Sequence, residues 1–128
     1  MNQLQQSALF FTTMGVISVA PLASAIALPL PSINNGDSYG ELRKKLLNLG
    51  WQPKSPPYPD TSGMVQRFRE KGWIEVQTCS GTGLGLCAFS FQDQYGKTLS
   101  ISTYNNYPDS ANTDSERYLI YGWSYNKQ

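Results

Sequence analysis

The chain has 128 residues, with ten Lys and Arg, nine Asp and Glu, no histidine and a formal net charge of +1. That balance argues against non-specific nucleic-acid binding, which needs several phosphates neutralised. The missing imidazole removes Ser-His and Cys-His nucleophilic systems and His-ligated zinc.

Residues 1–25 read as a signal peptide: Ala8 to Ala20 is apolar with only small polar interruptions, Pro21 breaks the run, and Ala23-Ser24-Ala25 supplies the small residues a signal peptidase reads. Ala25-Ile26-Ala27 is a second cleavage candidate, and the n-region contains no Lys or Arg. The alternative is a retained anchor, because apolar residues resume at Ile26 and about 20 of them span a bilayer. Pro21 and Pro29 count against such a helix, and no cysteine near the cleavage sites is available for lipid attachment. The expectation is an exported protein, periplasmic or secreted, with no stable membrane insertion once the leader is removed. About 100 residues then remain, enough for one small core. In an oxidising compartment the two cysteines, Cys79 and Cys87, are expected to pair. Closing so short a loop contributes about 2.5 kcal/mol in the chain-entropy model.

Residues 26–35 are rich in Pro, Asn and small side chains and read as an extended arm, and 36–128 as a single domain. Ser38-Tyr-Gly-Glu41 matches a capping box, with Asp37 as a competing N-cap. Leu42, Leu46 and Leu49 recur at helical spacing until Gly50. Lys54 to Gly63 is a proline-rich loop. A shorter helix follows, with Val65 and Phe68 on one side and Arg67, Arg69 and Glu70 on the other, and it stops at Gly72. Each helix thus ends in Gly-Trp, and Trp51 and Trp73 are expected to fold back over the core. The basic residues Arg43, Lys44, Lys45, Arg67, Arg69 and Lys71 read as solvated helix faces.

From Ile74 the period becomes two. Ile74, Val76 and Thr78 alternate with Glu75 and Gln77, Phe89 and Phe91 flank Ser90, and Leu99, Ile101 and Thr103 alternate with Ser100 and Ser102. Asp93 to Gly96 is a turn, Asn105 to Ser115 a polar loop, and Arg117 to Tyr125 a last strand. The fold class is α+β: two N-terminal helices packed on one face of a four-stranded antiparallel sheet, with one hairpin disulfide. Cys79 shares the parity of Glu75 and Gln77, whereas Cys87 shares that of Phe89 and Phe91. The disulfide is therefore not expected to join paired residues on the buried face, unless the glycines between the cysteines form a bulge that re-aims one of them.

The helix start Gly36-Asp-Ser-Tyr-x-x-x-Arg43, the Gly50-Trp51-x-Pro53 and Gly72-Trp73-x-Glu75-Val76 segments, and Cys79-Ser-Gly-Thr-Gly-x-x-x-Cys87 together resemble small exported bacterial proteins of uncharacterised function. The helix-helix-sheet order is also similar to one repeat of the beta-lactamase inhibitor protein and to the small outer-membrane assembly lipoproteins of the SmpA/OmlA kind. The second likeness is one of topology, and topology does not fix function.

No cofactor or metal site is read from the chain. A carboxylate pair drawn from Glu75, Asp93 or Glu116 leaves a small hydrolase as a remote alternative, with Glu75 expected on the outward face of its strand. Gly81, Gly83 and Gly85 lack the following helix and Lys-Ser/Thr of a phosphate loop and read as hairpin residues. What remains is aromatic. Tyr104 and Tyr107 stand in a polar context, while the last strand places Leu119, Tyr121, Trp123 and Tyr125 on one face and Tyr118 and Ile120 on the other. Tyr104, Tyr107, Tyr121, Trp123 and Tyr125 are the candidate binding residues of a non-enzymatic module contacting another extracytoplasmic protein, with cell-wall glycan or polysaccharide as the alternative ligand. The mass of the non-reduced protein is expected to lie two hydrogens below that of the reduced chain; full thiol labelling without reductant would contradict the exported, oxidised reading.

Overall fold

The computed structural model describes residues 27–81, 83–106 and 117–127. The leader, Tyr107 and Glu116 lie outside the described residues. Two helices and five strands follow in the order α1 (Tyr39–Asn48), β1 (Gln52–Pro53), α2 (Gly63–Glu70), β2 (Val76–Cys79), β3 (Cys87–Gln92), β4 (Lys97–Asn105) and β5 (Tyr118–Lys127). All pairings are antiparallel, in the order β1-β3-β4-β5, with β2 also paired to β3. The α+β class is therefore as expected, but there are five strands rather than four, and β1 falls between the helices. A two-residue strand containing Pro53 leaves no period to read, and Pro is tolerated there because β1 lies at the sheet edge.

Local chemistry accounts for both helices. Ser38 is the N-cap of α1, its hydroxyl accepting from the Glu41 N–H at 3.4 Å. The Glu41 carboxylate takes the Lys44 ammonium at 3.2 Å. At the far end Gly50 adopts φ 100°, its N–H donates to Leu47 O, and the Trp51 N–H donates to Leu46 O. At the end of α2, Gly72 at φ 93° donates to Arg69 O, and the Trp73 N–H donates to Phe68 O. These paired bonds define the same Schellman motif at both helices. The second has its expected apolar contact, the Trp73 ring stacked on Phe68 at 5.6 Å. Trp51 is fully buried, whereas Trp73 is half-buried against the core.

Tyr39, Leu42 and Leu46 of α1 and Val65 and Phe68 of α2 share one apolar cluster with Phe89, Phe91, Leu99, Ile101, Tyr118 and Ile120 of the sheet. Phe89 sits at its centre, stacked against Tyr39 at 4.0 Å and meeting Phe68 edge-on at 5.2 Å. Alternate residues of β3 and β4 supply this face, as their sequence period requires.

The start of β2 departs from the alternation. Ile74 is exposed and precedes the strand in a turn, Glu75 is fully buried, and a register shift follows between Val76 and Thr78. That bulge re-aims the strand, so Cys79 lies directly opposite Cys87 and both cysteines are buried. The disulfide Cys79–Cys87 thus does join paired residues on the inner face, and the correcting bulge is at Gln77, not among the glycines.

The arm is docked rather than free. The Trp51 indole N–H donates to Pro29 O at 3.0 Å, and Leu28 and Ile33 pack on the core. A side chain at Gly50 would meet a Leu28 methyl at 3.4 Å, so the glycine serves both the helix stop and the closeness of the arm. Trp51→Phe keeps the ring but leaves the Pro29 carbonyl without its donor. It is expected to lower the unfolding free energy by about 1 kcal/mol in urea denaturation; no change would mean that water replaces the indole without loss.

Candidate binding surface

The helices leave the other sheet face uncovered, and the register defines what that face presents. Gln52, Gln92, Thr98 and Asn126 form one cross-strand row. Ser90, Ser100 and Ser124 form the next, and Thr78, Ala88, Ser102 and Gly122 the third. Beyond them Tyr104 pairs with Leu119. Lys54 reaches over the first row, its ammonium donating to Thr98 Oγ1 at 3.4 Å. The opposite end, next to the disulfide hairpin, presents Thr78, Ala88, Ser102 and Tyr121, with the Asp60 carboxylate at its rim.

The candidate aromatics do not lie together. A second register shift, between Ser102 and Thr103 opposite Gly122 and Ile120, leaves Tyr121 as the extra residue of β5. Tyr121 therefore joins Tyr104 and Leu119 on the outer face, 60% exposed. Trp123 and Tyr125 pair with the buried Ile101 and Leu99 and so point to the helix face. There Tyr125 meets Trp51 edge-on at 6.2 Å, and the Lys97 ammonium lies 5.7 Å from its ring. The expected single aromatic face is thus split by a bulge, for which Gly122 was the available sequence signal. Tyr107 lies outside the described residues.

At the hairpin end, Thr78, Leu86, Ala88, Ser102 and Tyr121, together with Cys79 and Cys87, line a shallow groove of about 340 Å³. The hairpin forming its wall is held at both ends. Ser80 N–H donates to Leu86 O at 2.7 Å at the base, and Asn105 N–H donates to Leu84 O at 2.8 Å beyond it. Gly83 and Gly85 adopt positive φ, and a Cβ on Gly85 would come within 3.2 Å of Asn105 Cβ. These glycines serve the turn and the close approach to β4 rather than a phosphate. Asp60 marks the polar rim, its carboxylate accepting from Thr78 Oγ1 at 3.4 Å. A smaller hollow of about 80 Å³ between α2 and β5 carries Arg67, Lys71 and Arg117. The Lys71 ammonium is engaged there by the rings of Trp73 at 3.6 Å and Phe68 at 5.0 Å.

The carboxylates are placed otherwise than expected. Glu75 is not a solvated strand residue: it accepts from Arg43 Nε at 2.6 Å and from the Tyr39 hydroxyl at 2.8 Å, with Arg43 Nη2 at 3.4 Å from its second oxygen. Arg43 accordingly leaves the solvated cluster to which its neighbours assign it, and Arg69 likewise donates to Ser55 Oγ and Ile74 O. Asp93 is buried and caps the β3-β4 turn, accepting from the Tyr95 and Lys97 N–H groups at 2.9 and 2.8 Å. Neither acid lines the groove, and Glu116 lies outside the described residues. Among the described residues, no three His, Cys, Asp or Glu side chains stand close enough to hold a metal ion, and no helix is long and apolar enough to cross a membrane.

No protein-family model, no curated protein and no solved structure matches the chain.

Burial, and after it the adjacent Glu75 charge, push the Tyr39 phenol well above its ordinary 10.0. The folded state therefore holds this proton more tightly than the unfolded chain. Its contribution is complete below the unfolded pKa of about 10 and is lost as pH rises toward the folded one. Tyr39→Phe should remove that part of the alkaline decline in stability, read from urea midpoints between about pH 8 and about pH 11. An unchanged slope would assign the decline to other groups.

Proposed function

We propose that the chain is a non-enzymatic, exported binding module that contacts another extracytoplasmic protein, in an inhibitor or envelope-accessory role, through the hairpin end of its outer sheet face. The observation that carries this reading is the corner where Tyr121, 60% exposed, and Leu86, 41% exposed, flank a mainly apolar groove beside the stapled hairpin. A large aromatic beside an apolar groove with a polar rim has the anatomy of an interface anchor. The exported setting rests on the leader pattern of residues 1–25 and on the Cys79–Cys87 bridge, since disulfides persist in oxidising compartments.

The second reading, glycan binding, is favoured by a separate observation. In the cross-strand rows Ser100, Ser124, Gln92 and Asn126 leave hydroxyl and amide groups at the surface, whereas Ser90 and Thr98 are buried; the surface groups suit a neutral polyhydroxylated chain.

Affinity capture from envelope extract with the oxidised protein tests both. One protein recovered in stoichiometric amount, and lost by about tenfold or more with Tyr121→Ala at unchanged Tm, is the expected result. Retention on insoluble glycan without a protein partner replaces the first reading by the second. Capture insensitive to Tyr121→Ala removes the outer face from the proposal.

A further inference from the structure

The rim of β5 shows an interaction surface of another kind. Ser90 turns both backbone groups away from β4, its N–H donating to Glu75 O at 3.0 Å and its carbonyl accepting from Lys54 N–H at 2.9 Å. Ser90 and Ser100 are therefore a non-hydrogen-bonded pair, and Ser100 directs its own N–H and C=O toward Ser124 of β5. By the same alternation, the backbone groups of Trp123 and Tyr125 point away from β4, to the outside of the sheet. Nearer the start of β5 that outside edge is occupied. Ile120 N–H donates to Asp37 O at 2.8 Å, and Ile120 O accepts from Gly36 N–H at 2.7 Å. Among the described residues no strand or backbone group meets Trp123 or Tyr125 there.

Edge strands are ordinarily guarded by Lys, Pro or an inward charge. β5 has such guards only toward its ends, the bulge at Tyr121 and the terminal Lys127, and from Gly122 to Asn126 it carries no charge and no Pro. It is also self-complementary about Ser124. We propose that β5 pairs antiparallel with β5 of a second copy of this chain across a two-fold axis at Ser124. In that register Trp123 exchanges both backbone hydrogen bonds with the copy's Tyr125, and the two-fold repeats the exchange, giving four bonds from the four outward groups of each copy. The Trp123 side chain, 45% exposed in the single chain, comes beside the copy's Tyr125 on the helix-side face. Ser124 meets its own copy on the outer face, and Lys127 takes the position opposite Tyr121 rather than another Lys. No like charges face each other, and the serine row of the outer face continues through the axis into the second sheet. A foreign strand would find backbone groups here too, but only the same sequence matches this register on both sides of the axis.

The proposal is independent of what binds the outer face. Its test is sedimentation of the oxidised protein, recovered from expression of the full chain, over a series of concentrations. Dimer is expected, with Ser124→Lys weakening it by about tenfold or more at unchanged Tm, because two ammonium groups then meet at the axis. Ser124→Cys should give a reducible covalent dimer with Cys79 and Cys87 still paired. Gly122→Cys, whose register partner is Asn126, should not. A monomer at every concentration overturns the proposal. So does a dimer that Ser124→Lys leaves intact and Ser124→Cys fails to link.

Discussion

The arrangement depends first on the burial of one carboxylate. Glu75 has no exposed surface and is held by Arg43 and Tyr39, which stand one helical turn apart on α1. Arg43 also donates to the Gly72 carbonyl at 3.1 Å, so a single guanidinium ties α1 to the end of α2 and to the entry of β2. Such a cluster adds little net stability, because desolvation of the charges offsets much of their attraction. Its effect is specification: an unpaired Glu75 in this position would be costly, so α1, the Gly72 turn and the start of β2 are acceptable only together.

From that anchor, the rest of the sheet follows through two one-residue irregularities. Glu75 and Val76 are both buried, and unbroken alternation from Val76 would give Cys79 the wrong parity for the core. The shift at Gln77 restores it and sets Cys79 across from Cys87. The shift at Tyr121 acts in the opposite sense on β5. It keeps Tyr118 and Ile120 inside while returning Trp123 and Tyr125 to the helix side, so that of these three aromatics, Tyr121, Trp123 and Tyr125, Tyr121 alone projects outward. Both bulges reassign which side chains a strand offers to each face without changing its length or direction.

What could be read in the chain was whatever is decided locally. Ser38, Gly50 and Gly72 mark helix ends because capping needs only neighbouring backbone groups, and Phe89, Phe91, Leu99 and Ile101 mark a buried face because their strands run without a break. Glu75 was misplaced because its environment comes from Arg43, distant in sequence, and strict alternation assigned it to solvent. Strand β1 was missed because its two residues pair only through contact with β3. Of the candidate surface, the stapled hairpin and Tyr121 were legible. The separation of Tyr121 from Trp123 and Tyr125 was not, since a bulge is visible only once the partner strand sets the register.

The hairpin wall, clamped at its base by the Cys79–Cys87 bridge and beyond it by the Leu84 to Asn105 bond, has a thermodynamic corollary for recognition. Free loops lose conformational freedom on complex formation, and that loss subtracts directly from affinity. Here most of the ordering is completed during folding and oxidation. A partner docking at this corner as proposed would meet a small entropic penalty and little backbone rearrangement, and reduction of the bridge would reintroduce part of that penalty.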